Sequence, residues 1–183
     1  VGRSSMPRRV DYSDGAKIGY ALGGGGARGL SHIGVMKVLE EHGIYPDVIA
    51  GTSMGALVGA LYASGLRAGD IERALRLDLR RLAMLADVTL PLSGGLVRGN
   101  RVTAALESFL GNLAFEDLKI PFACVATDII HGQEITIRSG PVITAVRASI
   151  SVPGIFTPVK VRGRYLVDGG LVNMVPGSTC REM

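Results

Sequence analysis

Two glycine-rich turns near the start of the chain constrain its fold more than any other feature. The first, Gly23–Gly29, follows the apolar run Ile18–Leu22, and the second, Gly51–Gly55, follows the apolar run Val48–Ala50. A segment with helical character comes directly after each turn. This repeated order of strand, tight turn and helix predicts an α/β fold in which helices connect parallel strands.

The second turn predicts a nucleophilic serine. In a G-x-S-x-G sequence, the serine occupies a strained corner between a strand and a helix, and its hydroxyl projects outward. Ser53 stands at this corner, and the turn around it consists of Gly51, Thr52, Met54 and Gly55. A side chain at either glycine would collide across the bend. The N-terminus of the following helix favours the negative charge of an oxyanion.

A dinucleotide site is the main alternative for the first turn, because residues 24–29 also fit the pattern G-x-G-x-x-G. That site requires an acidic residue at the carboxyl end of the second strand, about 20 positions further on. Asp47 stands instead at the beginning of that strand, and Ser53 is found at its end. No Gly-Lys-Ser/Thr follows the glycines, which excludes a P-loop. The two turns therefore favour a serine acyl-transfer site, in which the first turn forms an oxyanion hole and the second carries the nucleophile.

The positions of the three histidines disfavour a Ser-His-Asp triad. The α/β-hydrolase order requires an acid and then a histidine after the serine, whereas His32 and His42 both precede Ser53. His131 follows the serine but stands beside Gly132 in a predicted hairpin turn, and it is kept as an alternative base. We expect a packing or surface role for His32 and a helix-end position for His42, where a cation offsets the dipole.

Asp168 is the main candidate for the base. It ends the predicted strand Arg164–Val167. Ser53 also stands at a strand end and needs a base there to accept its proton. An aspartate that hydrogen-bonds a serine directly can accept its proton. Asp-Gly-Gly is also ordinary turn chemistry, so the residues alone leave a purely structural role open.

Three motifs in this order resemble the patatin-like phospholipase family. They are Gly24–Gly29, Gly51–Gly55 and Asp168–Gly170, each at a predicted strand end, and the similarity extends over most of the chain. The resemblance implies a three-layer α/β/α fold with a mainly parallel central sheet.

The resemblance also implies a function. It assigns a catalytic dyad, with Ser53 as nucleophile and Asp168 as base. It further assigns an oxyanion hole built by the glycine loop, from the amides around Gly24, Gly25 and Gly26, with Arg28 nearby. The family hydrolyses acyl esters of phospholipids and related lipids, so we expect a lipid or acyl-ester substrate and neither a metal nor an organic cofactor. The alternative from another class is a non-catalytic lipid- or protein-binding module on the same scaffold.

Length and composition fit one catalytic domain. The 183 residues suffice for one substantial core. Residues 1–16 are polar and have no apolar centre, so they are predicted to be a loose leader rather than a signal peptide, and residues 17–183 form the predicted domain. No apolar run approaches membrane-spanning length. We therefore expect a cytoplasmic protein that contacts membranes only at their surface.

The remaining segments follow an alternating pattern. Helices are predicted over Leu30–Glu41, Asp70–Ala86, Arg101–Leu110 and Val142–Ser149; strands over Phe122–Ile129 and Glu134–Arg138; a hairpin over Val159–Val167; and a loop over Asp87–Arg101 that is either the border of an acyl-binding cleft or a plain connector. Of the two cysteines, Cys124 is predicted to be a buried thiol, and Cys180 stands near the terminus. Two such cysteines make neither a disulfide framework nor a metal site.

Several arginines recur at helical spacing. They are Arg73, Arg76 and Arg80, with Arg67 and Arg81 beside them, in a chain of formal net charge +4. Such a face can bind anionic lipid headgroups, and a solvated helix surface is the alternative. Nucleic acid is not an expected partner, because aromatic interleaving and a recognition module are missing.

The end of the chain departs from the family pattern. After Asp168–Pro176, family members continue into a further helix and a core strand, whereas this chain has only residues 177–183. We therefore expect a domain truncated at its C-terminal end, whose sheet lacks an element. The open edge that results invites pairing with a second copy of the chain, as a homo-oligomer.

Overall fold

A computed structural model describes residue 10 and residues 15–76 and 100–183, without the side chains of residues 100–102 and 105. Almost all of the predicted leader lies outside the described residues. So do the second half of the predicted helix Asp70–Ala86 and nearly all of the predicted loop Asp87–Arg101.

Strands and helices alternate along the first half of the chain, which confirms the α/β class. The described elements are β1 (Gly19–Leu22), α1 (Ser31–Glu41), β2 (Val48–Thr52), α2 (Met54–Ala63), α3 (from residue 68, described to residue 76), α4 (Asn100–Leu110), β3 (Phe122–Asp128), β4 (Gln133–Ile137), α5 (Val142–Ser149), β5 (Val159–Val161), β6 (Arg164–Asp168) and α6 (Gly177–Arg181). Short 3-10 helices cover Gly26–Leu30, Phe115–Asp117 and Gly169–Leu171. No element is predicted for residues 177–181, yet they form α6.

The sheet is mixed, and among the described strands the parallel pairing is confined to β1, β2 and β3. β1 pairs parallel with β2, and β2 pairs parallel with β3. β3 pairs antiparallel with both β4 and β6, and β5 pairs antiparallel with β6. For the β3–β4 and β5–β6 pairs the cause is the length of the connections, since the short turns at residues 129–132 and 162–163 can join only antiparallel neighbours.

β2 and β6 lie end to end along the same side of β3. β2 pairs with Phe122–Val125 and β6 with Ala126–Asp128, whereas β4 pairs with Cys124–Asp128. Because the β4 pairing overlaps both of the others, β4 must occupy one side of β3, and β2 and β6 share the other side. β2 runs parallel and β6 antiparallel to β3, so the carboxyl ends of β2 and β6 point at each other.

These two strand ends nearly touch. Thr52, the last residue of β2, pairs with Val125, and Asp168, the last residue of β6, pairs with the neighbouring Ala126. A Cβ at Gly169 would overlap the carbonyl of Val125 and lie 3.1 Å from Thr52 Cγ2. The absence of a side chain at this glycine therefore allows β6 to approach the end of β2.

Helices cover both faces of the sheet unequally. β2 and β3 are buried at every residue, as expected for strands with both faces covered. The larger core cluster joins the sheet to α1–α5, with Met36, Leu61 and Val146 at 1% exposure or less. On the opposite face, Cys180 of α6 packs against Ala50 of β2. The predicted three layers are present, and in the described part of the chain the third layer is α6.

The sheet has open edges within the described part of the chain. β1, β4 and β5 each pair there with a single neighbouring strand. These edges leave backbone hydrogen-bonding groups for another strand, and pairing with a second copy stays a prediction.

Candidate active site

Ser53 connects β2 to α2 through a strained backbone. Its φ is 54° and its ψ is −121°, a conformation that costs a non-glycine residue about 1–3 kcal/mol. Its neighbours make the bend sterically accessible, because a Cβ at Gly51 would lie 2.6 Å from the Ala56 Cα and a Cβ at Gly55 would overlap the Leu22 carbonyl. The surrounding backbone therefore imposes the strain and holds the serine at the carboxyl end of β2.

The hydroxyl of Ser53 contacts the carboxylate of Asp168. Ser53 Oγ donates a hydrogen bond of 2.6 Å to Asp168 Oδ2, and the two residues are only 8% and 7% exposed. The other carboxylate oxygen, Oδ1, accepts the Gly170 N–H at 2.7 Å. One oxygen is thus oriented by the backbone, and the other is directed at the serine. The predicted contact is present, and its catalytic role is a proposal.

Two threonine hydroxyls fix the strand ends that carry this pair. Thr52 Oγ1 donates to the carbonyl of Asn173 at 2.9 Å, and Thr127 Oγ1 donates to the carbonyl of Asp168 at 2.8 Å. Both threonines are at least 97% buried. Because a buried hydroxyl without a partner is costly, these bonds hold the Asp168–Asn173 segment against β2 and β3.

Ser149, at the end of α5, is a site residue that the sequence analysis missed. Its Oγ accepts the Ser53 N–H at 2.8 Å and donates to the Val125 carbonyl at 2.6 Å, and the residue is fully buried. Nothing in its spacing distinguishes it from an ordinary serine at a helix end. Its role depends on which backbone groups α5 meets in the folded chain.

The glycine loop lies directly beside the serine. A Cβ at Gly24 would lie 3.3 Å from the Ser53 Cβ, and a Cβ at Gly29 would lie 2.7 Å from the Met54 Cβ. Gly25 has a φ of 137° and Gly26 a φ of 54°, values that favour glycine. Residues of both predicted turns therefore meet around one point.

The backbone donors of this loop differ in their partners. The Gly24 N–H donates to the Met174 carbonyl at 2.9 Å. The N–H groups of Gly25 and Gly26 have no hydrogen-bond partner among the residues that the structure describes. Of the three glycines predicted for the oxyanion hole, Gly25 and Gly26 therefore have an N–H group without a described partner in this conformation, and the Gly24 N–H is already paired.

Comparison with known proteins identifies the family. The sequence model of the patatin-like phospholipase family matches residues 20–178. The chain belongs to this family. An uncharacterised NTE family protein of Mycobacterium tuberculosis is 42% identical over 177 residues, which are 97% of this chain and 30% of that protein. Lysophospholipase NTE1 of Eremothecium gossypii is 36% identical over 178 residues, 95% of this chain and 12% of that protein.

A solved structure shares the fold. The crystal structure of VipD from Legionella pneumophila superimposes with a TM-score of 0.71 at 16% sequence identity, over 96% of this chain and 52% of that one. The similarity to VipD therefore concerns the fold alone. The chain spans less than a third of the length of the two relatives from Mycobacterium tuberculosis and Eremothecium gossypii.

The three histidines of this patatin-like domain form their hydrogen bonds with groups other than Ser53 and Asp168. His32 Nε2 donates to the Gly23 carbonyl at 2.9 Å, so His32 packs against the glycine loop as predicted. His42 is the C-cap of α1, which confirms its helix-end position. His131 is 61% exposed, and its Nδ1 pairs with Asp128 Oδ2 at 2.9 Å. The hydrogen-bond acceptor for Ser53 Oγ in this structure is a carboxylate rather than an imidazole.

Asp128 forms a separate ionic cluster at the end of β3. Its buried carboxylate accepts hydrogen bonds from His131, from the Ile130 N–H and from Arg164. These contacts, that of His131 first, lower the pKa of Asp128 to about 2. Because Asp128 is bonded to His131 and Arg164, the cluster stabilises the β3–β4 turn against β6.

The predicted cationic face is largely neutralised where the structure describes it. Each described arginine of the face pairs with an acidic side chain: Arg67 with Glu40, Arg73 with Asp70 and Arg76 with Glu72. Arg80 and Arg81 lie outside the described residues. Arg28 is exposed on the glycine loop, and no described acidic side chain pairs with it.

An apolar rim, defined here as Leu171, Val172, Met174 and Val175, follows the Asp-Gly-Gly turn. These four residues are 60%, 40%, 52% and 59% exposed. Met174 lies between the glycine loop and the Asp-Gly-Gly turn, since a Cβ at Gly24 would be 2.8 Å from its Sδ and a Cβ at Gly170 would be 3.1 Å from its Cε. Exposed apolar side chains therefore border the Ser53–Asp168 pair.

Two further features are absent from the described residues. None of the described helices combines the length and the apolar character needed to cross a membrane. No group of three or more His, Cys, Asp or Glu side chains in residues 15–76 and 100–183 is arranged to hold a metal ion.

Burial raises the pKa of the Cys124 thiol to about 12, which keeps this predicted buried thiol protonated.

Proposed function

We propose that this chain is a serine acyl hydrolase that cleaves carboxylic ester bonds of phospholipids or related acyl esters. The 2.6 Å hydrogen bond from Ser53 Oγ to Asp168 Oδ2, made at a strained strand–helix turn, carries the proposal. Membership of the patatin-like phospholipase family supports a lipid ester as the substrate class. The apolar rim supports it as well, because acyl chains gain free energy by leaving water.

In the proposed first half of the reaction, Asp168 Oδ2 accepts the proton of Ser53 as Oγ bonds to the ester carbonyl carbon. The carbonyl oxygen becomes an anion in the tetrahedral intermediate. When the intermediate collapses, the bond to the alcohol oxygen breaks and the alcohol leaves with the proton from Asp168. Ser53 then carries the acyl group.

In the second half, water attacks the acyl group and gives a proton to Asp168. The bond between the acyl carbon and Ser53 Oγ then breaks, and Oγ takes that proton back. The products are a carboxylic acid and the free serine. The Gly170 N–H, which binds Asp168 Oδ1, keeps Oδ2 directed at the serine through both halves.

The direct test is hydrolysis of p-nitrophenyl esters of increasing acyl length, combined with labelling by a fluorophosphonate. We expect turnover above the buffer rate, and a single phosphonylated residue, Ser53, in the mass spectrum of the labelled chain. Labelling of Ser31 or Ser151 instead would contradict the site. Absence of both turnover and labelling would favour a non-catalytic binding module.

The oxyanion hole is proposed to consist of the Gly25 and Gly26 N–H groups. One such donor contributes about 3–4 kcal/mol to transition-state stabilisation. Gly25→Val should lower kcat by about 10²-fold or more, because a branched residue resists a φ of 137° and obstructs the ester. Ester turnover and thermal unfolding measured together check this.

Gly132→Val is the matched control for this substitution. Gly132 also has a positive φ, 65°, and has no neighbouring atom within 4 Å of a Cβ built there. The Gly132→Val variant should lose as much stability as Gly25→Val and keep the native ester turnover. Equal losses of kcat in both variants would argue against the hole.

A further inference from the structure

β2 turns away from β3 at the point where the parallel ladder would form its next hydrogen bond. In a parallel pair, the N–H donors of one strand recur at every second residue. The Ile49 N–H donates to the Pro121 carbonyl at 2.9 Å. With the observed register, the same ladder would bring the Ser53 N–H onto the Val125 carbonyl. At the elbow this direct bond is missing.

The hydroxyl of Ser149 occupies the gap. It accepts the Ser53 N–H at 2.8 Å and donates to the Val125 carbonyl at 2.6 Å. One side-chain oxygen thus replaces one backbone hydrogen bond and leaves neither buried group unpaired. The oxygen therefore lies between the end of β2 and β3, where a direct bond would bring the two backbones together.

The same segment binds the backbone of the proposed base. The carbonyl of Ser151, two residues after Ser149, accepts the Asp168 N–H at 2.9 Å. Ser151 is held in turn by Arg147, whose Nη1 donates to its Oγ at 2.5 Å and whose carbonyl accepts from that Oγ at 2.7 Å. Ser149 therefore contacts the backbone of Ser53, and Ser151 contacts the backbone of Asp168.

We propose that Ser149 is a positioning residue that sets the distance between Ser53 Oγ and Asp168 Oδ2. This role rests on the proposed hydrolase function. Without the hydroxyl, the Ser53 N–H can bond directly to the Val125 carbonyl, which moves the elbow toward β3 and Oγ out of line with Asp168. A misplacement of about 1 Å can reduce a catalysed rate by about 10²-fold.

The test compares Ser149→Ala with Ser149→Thr in the full chain, using a p-nitrophenyl ester. Ser149→Ala should lower kcat by about 10- to 100-fold with KM unchanged, because the apolar rim is untouched. The rate constant for fluorophosphonate labelling should fall by a similar factor. Ser149→Thr keeps the hydroxyl and should retain most of the native kcat. If Ser149→Ala does not fold, Ser149→Cys replaces the hydroxyl with a weak acceptor and should show the same loss.

Thr179→Val is the control for the loss of a buried hydroxyl. Thr179 is 2% exposed and donates to Glu134 Oε1 at 3.0 Å, so this variant should lose stability and keep kcat. A native kcat in folded Ser149→Ala, or a loss that Ser149→Thr shares fully, would overturn the positioning role alone. A native chain no faster than Ser53→Ala would overturn the hydrolase function, and the role of Ser149 with it.

Discussion

Ser53→Ala is expected to lower kcat/KM for ester hydrolysis by at least about 10⁴-fold, since removal of the serine of a triad lowers kcat by about 10⁶-fold. Alanine has no atom that can bond to the ester carbonyl carbon. The glycine loop and the apolar rim are unchanged in this variant, so substrate should still bind. Turnover of a p-nitrophenyl ester by the native and variant chains, at matched concentration, provides the measurement.

Ser64→Ala serves as the matched control. Ser64 follows α2, and its Oγ donates to the Leu61 carbonyl at 2.7 Å, so this variant also loses one serine hydroxyl. It should keep the native rate. Indistinguishable rates for the native chain and Ser53→Ala across all acyl lengths would remove the enzyme hypothesis and favour a binding module.

Asp168→Asn is expected to lower kcat by about 10³- to 10⁴-fold, the scale of the corresponding change in a serine protease triad. The substitution is nearly isosteric, so the fold should survive. The Gly170 N–H requires an acceptor at the Oδ1 position, which places the amide nitrogen of asparagine toward Ser53. That nitrogen cannot accept the serine proton. Steady-state kinetics together with a thermal unfolding curve test both statements.

Asp128→Asn offers a control with the same chemical change. Asp128 is 1% exposed and belongs to β3, but its partners are His131 and Arg164. We expect lower stability and a nearly native kcat. His131→Ala should likewise keep most of the activity. Loss of activity in His131→Ala, together with an active Asp168→Asn, would restore His131 as the base.

Local sequence patterns were sufficient for the elements that carry the pair. A G-x-S-x-G turn after a buried strand predicts a strained serine at a helix start, and Ser53 has the positive φ that this turn requires. The predicted strand over Phe122–Ile129 is observed as β3, and its predicted buried thiol, Cys124, is fully buried. These features depend on a few consecutive residues, because steric exclusion at a tight turn is local.

Contacts between segments that are distant in the chain could not be predicted from local sequence patterns. Neither the hydroxyl of Ser149 nor the bond from the Gly24 N–H to the Met174 carbonyl has a signature in spacing or composition. The ion pair of Arg67 with Glu40 was also missed, since arginines at helical spacing show a shared face but not an acidic side chain from another helix. Such contacts depend on how elements far apart in the chain are packed.

The sequence by itself determined that Ser53 and Asp168 each stand at the end of a strand. It also determined that a glycine loop follows β1. Only the tertiary structure decided how the two strand ends meet. Asp168 ends an antiparallel strand, which in a full-length pairing would place it at the opposite edge of the sheet from Ser53. Of the β3 residues, only Ala126–Asp128 pair with β6, on the side of β3 that β2 has just left. The two ends therefore converge, and the register of these pairings brings the hydroxyl to the carboxylate.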